Sequence, residues 1–272
     1  MSSLIVNFNA EAANAVLNLD STNAALSNAI QVLSSGLAVQ YSNQGPASWS
    51  ISQYLQYQNA GDTQGIANSQ QGVSVLNIAS GAINQIAGIL DQMEQLATSS
   101  ANGGAMTTVQ QAANNSQFSA LKSEINKIVS NTTYGTKALI DGTYTNATFQ
   151  IGFQATNTFS MSISSMKTTS LGVTGGVAST SAGTAAISSI TKALKVLSSV
   201  GSSVGAKQQQ LTAFVQDLQT TSTNVQSANS TVVDVNMAQE MSSFTTDQIL
   251  LQSGLSMLGQ AQANPTLVLK LL

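Results

Sequence analysis

The 272-residue chain contains no cysteine, no histidine and no arginine, and only 7% of its residues are charged. Without cysteine, the chain can form neither disulfide bonds nor thiolate metal sites. Without histidine, it lacks the most frequent general base and the most frequent metal ligand. We therefore expect no cofactor, no metal site and no enzymatic activity.

The few charges also argue against nucleic acid and membrane partners. Eight lysines stand against eleven acidic residues, for a net charge of −3, which leaves no basic surface for nucleic acid and no basic face for a membrane-surface helix. The sequence has no run of eighteen apolar residues, so no membrane insertion is expected. Its first residues do not have the pattern of a cleaved signal peptide. The protein would therefore leave the cell by a route that needs no such signal.

A narrow apolar stripe with alternating spacings of three and four residues lies near each end of the chain. This spacing is typical of a coiled coil. The first stripe includes Leu19, Leu26, Ile30, Leu33 and Leu37. The second includes Met241, Phe244, Leu251, Leu255 and Leu258. Because a helix cannot bury such a stripe alone, each needs a partner helix. The simplest arrangement pairs the two terminal helices, although an ordinary core would give similar stripes.

The middle of the chain combines further helices with a short β region. Alternating apolar and polar residues predict a β-hairpin from 148–152 and 159–164. Ser170 to Gly183 is rich in glycine, serine and threonine and is predicted as a surface loop or insertion point. Asn264–Pro265 is expected to interrupt the last helix before the apolar end LVLKLL. Helices are predicted at 44–100, 107–130 and 182–237, the last interrupted near Gly201 and Gly205.

These patterns predict a mainly α fold. Long antiparallel helices would form a terminal coiled-coil pair beside a helical bundle that carries a small β-hairpin region. The predicted division assigns 1–40 and 237–272 to an inner domain, and 41–180 and 181–236 to a second domain.

The order of several motifs resembles that of bacterial flagellins. The segment AIQVLSSGL (29–37) is similar to the family pattern A-I-x-x-L-S-S-G-L. Similar family segments correspond to NSQQGVSVL (68–76) and MEQLATSSAN (93–102). Near the other end, the similarity continues through MAQEM, QILLQSG and QAQANP (237–265) to the final Leu271–Leu272. The resemblance covers nearly the whole chain, and the segment between 166 and 182 leaves no room for an outer domain.

The resemblance implies a structural subunit that polymerises into the extracellular bacterial flagellar filament and serves swimming motility. It implies that the terminal helices line a central channel and that the chain is exported unfolded through the flagellar type III system. The implied partners are further copies of the chain, the flagellar cap and hook-junction proteins, and an export chaperone. A hook–filament junction protein is the alternative, since such proteins share the terminal helices but usually carry a larger middle.

The resemblance also gives a role to particular residues. The ten stripe residues named above would be assembly positions of the inner domain. Gln92 stands where the family carries the arginine important for the animal Toll-like receptor that senses flagellin. A neutral amide cannot replace the paired, charge-assisted hydrogen bonds of a guanidinium. We therefore expect this receptor site to be inactive. The neighbouring Asp91 and Glu94 fit a solvated helix face better than a catalytic pair.

Overall fold

The computed structural model describes the backbone of residues 9–271 and the side chains of residues 9–263. The described chain is mainly helical, as predicted, with short antiparallel strand pairs between its third and fourth helices. The helices are α1 (Ala10–Ser35), α2 (Pro46–Ala101), α3 (Thr108–Asn131), α4 (Thr180–Val233) and α5 (Met237–Leu271). The strands are β1 (Thr133–Tyr134), β2 (Lys137–Ala138), β3 (Ala147–Gln150) and β4 (Thr158–Met161).

Local signals fix both ends of α1. The side chain of Asn9 accepts a hydrogen bond from the Ala12 backbone N–H at 3.1 Å and caps the first turn. At the other end, Gly36 adopts a left-handed conformation with φ 75° and donates its N–H to the Val32 carbonyl at 2.8 Å. Residues with a β-carbon rarely adopt this conformation, so glycine ends the helix here.

The chain divides into two compact units. The first unit joins the residues up to Gln56 with those from Val225 onward, and the second contains Tyr57–Asn224. These boundaries fall inside α2 and α4, whereas the sequence pattern places them near residues 40 and 236. The difference arises because α2 and α4 each continue as one helix from one unit into the other.

In the first unit, α1 and α5 pack against each other as an antiparallel pair. One end of the pair is held by a 3.0 Å hydrogen bond from the Val235 N–H to the Gly36 carbonyl. Toward the other end, Asn9 Nδ2 donates to the Ala261 carbonyl at 2.8 Å. Residues early in α1 therefore lie beside residues late in α5, which confirms the predicted pairing of the terminal helices.

The second unit has a continuous apolar core built from α2, α3, α4 and the strands. The alternating pattern predicted its β3–β4 hairpin, in which Phe149 pairs with Phe159. The β1–β2 hairpin was not predicted, since its strands have two residues each and show no periodicity. Fully buried members of the core include Leu90, Met93, Phe118, Ile125, Leu139, Ile140, Met166, Ile190 and Leu211.

Two predicted helix interruptions are not found. α4 runs unbroken through Gly201 and Gly205, and a β-carbon added at Gly201 would lie 3.7 Å from Ile83 Cγ2, an ordinary packing contact. α5 continues through Asn264 and Pro265 to Leu271. A proline removes one backbone N–H donor, and a long helix can accommodate that loss. The side chains of the apolar end LVLKLL lie outside the described residues.

Candidate assembly surfaces

A seam of large and short side chains joins α1 to α5. In α1, half-buried leucines recur at every seventh position. Shorter residues lie between them, each four positions before the next leucine. Large and shorter residues alternate in the same way in α5. This is the spacing of a coiled-coil interface, with small residues allowing close helix approach. The large members are Leu19, Leu26, Leu33, Phe244, Leu251 and Leu258; the shorter members are Ala15, Thr22, Ala29, Asp247, Gly254 and Ala261.

The ten predicted stripe residues fall into three groups. Leu19, Leu26, Leu33, Phe244, Leu251 and Leu258 are half-buried in the seam. Leu37 follows α1 and forms an isolated antiparallel bridge with Asp234. Ile30, Met241 and Leu255 point away from the seam and are 51%, 49% and 57% exposed. The role of all ten in assembly stays a prediction.

The sequence pattern missed the shorter half of the seam. After each leucine it selected the apolar residue four positions on, such as Ile30 after Leu26, whereas the structure uses the residue three positions on, such as Ala29. Ala29 is 3% exposed although alanine carries little hydrophobic signal. The available signal was the regular alternation of large and small residues along the two helices.

Many apolar side chains of α1 and α5 are exposed outside the seam. We call them the outer apolar residues. They are Val16, Leu17, Ile30, Met241, Ile249, Leu250, Leu255 and Met257. Soluble monomers rarely leave so many apolar side chains of one helix pair in water, and such surfaces usually contact another molecule.

The charges of the first unit are of one sign. Within the described side chains of this unit, the charged residues are Glu11, Asp20, Asp234, Glu240 and Asp247. No lysine occurs in residues 9–56 or 225–263. Two copies of this region therefore cannot attract each other through ion pairs between these side chains, and apolar burial is the remaining strong source of association.

The second unit contains a buried carboxyl group in α2. Asp62 is 2% exposed, and its Oδ2 atom has no hydrogen-bond partner. Burial raises the pKa of this carboxyl group, and the nearby Asp217 carboxylate raises it further. Hydrogen bonds from the Gln58 side chain and the Phe153 backbone lower this pKa and offset part of the increase.

A shallow cavity of about 380 Å³ lies between α2 and the loop that follows β3. The cavity is lined by Tyr57 and Phe153 and by glycines and amide side chains. The ring centroids of Tyr57 and Phe153 lie 6.2 Å apart in an edge-to-face arrangement. Among the described residues, no group of three acidic side chains, histidines or cysteines is placed to hold a metal ion.

The receptor-site counterpart Gln92 is exposed on α2, between the buried residues Leu90 and Met93. Asp91 is also exposed, and Glu94 is half-buried. Among the described helices, α2 is also the one that is long and apolar enough to span a membrane, but 44% of that stretch is buried within the protein. A core helix of a soluble protein meets the same criterion.

The chain thus combines an antiparallel terminal helix pair that has exposed apolar faces with a second, helical unit that carries small hairpins, and these features are typical of a self-associating structural protein. Comparison with known sequences gives the family. Residues 6–145 match the bacterial flagellin N-terminal helical region, and residues 187–272 match the bacterial flagellin C-terminal helical region. The chain belongs to the bacterial flagellins, with no middle domain between the two regions, and is a subunit of the extracellular flagellar filament.

Relatives of similar length support this assignment. The flagellin of Halalkalibacterium halodurans is 33% identical over 99% of this chain and 100% of its own length. The flagellin of Bacillus subtilis is 31% identical over 98% of this chain and 99% of its own length. Both matches are to flagellins, and nothing in them favours the junction-protein alternative.

A solved structure shows the same fold. The crystal structure of Bacillus cereus flagellin superposes with a TM-score of 0.52 at 20% sequence identity, covering 56% of this chain and 88% of that one. Flagellins are structural proteins, which agrees with the expectation that the chain is not an enzyme.

Proposed function

We propose that the α1–α5 pair forms the inner, channel-lining part of the filament and that its outer apolar residues contact neighbouring subunits. The observation that carries this proposal is the exposure of apolar side chains along both helices, with Leu17 67% and Ile249 60% exposed. The seam, by contrast, is used within one subunit.

Energetics support this division of roles. Burying apolar surface contributes roughly 25 cal/mol per Å², so full burial of one leucine or isoleucine contributes about 1.5–3 kcal/mol. Several such residues on each subunit, repeated along a polymer, can offset the entropy lost on association. The acidic residues of the first unit cannot supply this attraction. Assembly would therefore depend on apolar burial and amide hydrogen bonds more than on ion pairs.

The predicted assembly residues then have three different tasks. Leu19, Leu26 and Leu33 would fix the geometry of the pair together with the large seam residues of α5. Ile30, Met241 and Leu255 would face other subunits. Leu37, which bridges to Asp234, would hold the turn between α1 and α2 beside the end of α4.

The remaining partners follow from the family and from the same surface. Flagellar cap and hook-junction proteins would meet the apolar ends of subunits at the two ends of a filament. An export chaperone would cover apolar terminal segments before assembly, and the chain would pass unfolded through the flagellar type III system. Scarce ion pairs and the absence of disulfide bonds favour unfolding before export.

Polymerisation of variants tests the proposal. Leu255→Gln removes an exposed apolar side chain and is expected to raise the critical concentration for filament formation, while monomer circular dichroism and melting stay unchanged. Val109→Gln is the matched control, because Val109 is 77% exposed on α3 and belongs to the second unit. If Leu255→Gln polymerises like the wild type in sedimentation and electron microscopy, the proposed role of this surface is wrong.

A further inference from the structure

All sulfur in the chain is methionine sulfur, because the sequence has eight methionines and no cysteine. In the second unit, the methionine side chains are either buried or held by hydrogen bonds. Met106 is half-buried, and its sulfur accepts hydrogen bonds from Ser99 Oγ at 3.4 Å and from Asn114 Nδ2 at 3.8 Å. The other methionines of this unit are at most 3% exposed; they are Met93, Met161 and Met166.

The methionines of α5 are exposed instead. Met237, Met241 and Met257 are 47%, 49% and 64% exposed. Met1 lies outside the described residues, so α5 carries every strongly exposed methionine of the part of the chain that the structure describes. Met241 and Met257 also belong to the outer apolar residues, which are the side chains proposed to contact neighbouring subunits.

We infer that Met241 and Met257 are oxidation sites, and that their conversion to methionine sulfoxide prevents the subunit from assembling. This inference rests on the proposed function, because it assumes that the outer apolar residues become buried between subunits. The oxidant is a peroxide, of which hydrogen peroxide is the simplest. The sulfur lone pair attacks one peroxide oxygen, an S–O bond forms and the O–O bond breaks. The sulfur loses two electrons to the peroxide, whose other oxygen leaves as water.

This oxidation changes polarity at positions where assembly needs apolar surface. A thioether packs as a flexible apolar side chain, whereas a sulfoxide is polar and chiral. Its oxygen accepts hydrogen bonds from water, and burial without a replacement donor costs free energy. An oxidised subunit would therefore bind its neighbours more weakly while the seam between α1 and α5, which does not include these two residues, stays intact.

Two properties of the chain direct a peroxide to these sulfur atoms. A chain without cysteine has no thiolate to consume the oxidant first. Exposure then decides the order of reaction among the described methionines, and α5 precedes Met106 and the buried core. As a subunit of an extracellular filament, the chain also lies outside the cytosolic thiol systems that reduce proteins. Burial in the filament would protect the same sulfur atoms once the subunit has been incorporated.

Peroxide treatment of full-length monomer and of preformed filament measures this protection. Both samples receive the same dose of hydrogen peroxide, and mass spectrometry of peptides detects the gain of one oxygen atom. Cleavage after acidic residues separates the two sites, because Asp247 lies between Met241 and Met257 and Glu240 precedes Met241. We expect both sulfur atoms to react in the monomer and to react several-fold more slowly in the filament, while the buried Met93 stays unmodified in both.

Polymerisation of the oxidised monomer tests the consequence. Its critical concentration is expected to rise by about tenfold or more, the effect of losing a moderate interface hot spot. Its circular dichroism and melting temperature should match those of the untreated monomer. Reduction by methionine sulfoxide reductases should restore assembly, because they return the sulfoxide to the thioether.

Variants assign the effect to the two residues. The double variant Met241→Leu/Met257→Leu keeps apolar side chains but has no sulfur at either position, so it should polymerise after peroxide treatment as it does before. Met106→Leu is the matched control, since it removes a sulfur from the second unit and leaves both sites of α5 intact. This control should remain as sensitive to peroxide as the wild type. A double variant that is equally sensitive would overturn the assignment.

The outcomes separate this inference from the proposed function. If Met241 and Met257 carry oxygen and the monomer still polymerises at the wild-type concentration, the inference is wrong. It is also wrong if both sulfur atoms react equally in monomer and filament, or if oxidation lowers the melting temperature and so acts on folding. The proposed function is tested without any oxidant: it fails if the untreated wild type forms no filaments or if Leu255→Gln has no effect.

Discussion

Leu19 of α1 packs directly onto Gly254 of α5. A β-carbon added at Gly254 would lie 2.8 Å from Leu19 Cδ2 and 3.2 Å from Leu19 Cγ, closer than side chains normally approach. Glycine at this position therefore lets the two terminal helices pack closely and gives the leucine its space. The contact favours the observed antiparallel register, because every other seam residue of α5 is larger than glycine.

We expect Gly254→Leu to destabilise the α1–α5 pair by about 1–3 kcal/mol, the usual cost of overpacking a fitted contact. Gly259→Leu in the same helix is the control, since nothing lies within 4 Å of a β-carbon added there. That control should be neutral or stabilising by up to about 1 kcal/mol, because glycine is a poor helix former. Urea unfolding followed by circular dichroism measures both effects. Equal stability of the two variants would show that the Leu19 contact does not restrict this position.

The buried Asp62 gives a prediction about pH. Its pKa is raised in the folded protein, so this carboxyl group destabilises the fold increasingly as the pH rises above the unfolded pKa of 3.8, and the full penalty is present above the folded pKa. Asp62→Asn should therefore stabilise the second unit near neutral pH by on the order of 1 kcal/mol, the cost of a buried polar atom without a partner. The gain should shrink as the pH falls toward the ordinary aspartate pKa of 3.8 and vanish below it, because both states are then protonated.

Thermal unfolding of wild type and Asp62→Asn across a pH series measures this effect. Asp91→Asn is the control, because Asp91 is exposed on the same helix. A stability difference that grows as the solution becomes more acidic would have the opposite sign and would contradict the assignment.

Much of the fold could be predicted because long amphipathic helices repeat their signal many times. The terminal pair and α2, α3 and α4 follow from apolar periodicity, and Gly36 marks the end of α1. The shorter members of the seam could not be predicted in the same way, since residues such as Ala15 and Ala29 contribute little to an apolar pattern. Their importance comes from the space that they leave for the opposite helix.

Burial of polar residues was the least visible feature in the sequence. Asp62 occupies a helix whose surface is rich in amides, and a lone carboxylate there is normally solvated. Asp62 becomes buried because Gly61 and Gly65 allow the loop after β3 to approach α2 closely. A β-carbon added at Gly61 would lie 2.3 Å from Phe153 Cβ. One added at Gly65 would lie 2.7 Å from the Ile151 carbonyl oxygen. Such long-range packing has no local sequence signal.

The segment before α4 is packed more closely than its composition suggests. Leu171, Val173 and Val177 are buried, and Lys122 Nζ donates to the carbonyls of Thr174 and Gly175 at 3.0 Å each. The sequence pattern predicted an insertion point anywhere in residues 170–183. The packing indicates that insertions should be tolerated only in the exposed part of this segment.

We expect a short Gly/Ser insertion between Ala178 and Ser179 to be tolerated, because both residues are exposed and Ser179 can still accept a hydrogen bond from the Ala182 N–H. The same insertion between Gly172 and Val173 should lower the melting temperature, since it separates two buried side chains. Calorimetry of the two insertion variants tests this. Equal melting temperatures would show that the packing of this segment does not matter for stability.

The neutral side chain of Gln92 leads to a prediction about immune recognition. The exposed amide lacks the guanidinium implied by the family, so purified monomer should activate the animal Toll-like receptor weakly or not at all. Gln92→Arg should increase signalling, whereas Gln95→Arg, which adds the same charge at another exposed position of α2, should increase it less. Strong signalling by the wild-type monomer in a receptor reporter assay would refute the prediction.

The one-sided charge of the first unit predicts how the filament responds to acid. Because its described side chains include carboxylates but no lysine, lowering the pH removes repulsion between neighbouring copies and breaks no ion pair among these groups. Filaments should therefore keep their length down to about pH 4, and high salt at neutral pH should strengthen assembly by screening the repulsion between these carboxylates. Light scattering and electron microscopy across pH and salt series measure both effects. Disassembly near pH 4 together with weakening in salt would mean that ion pairs outside these residues hold the subunits together.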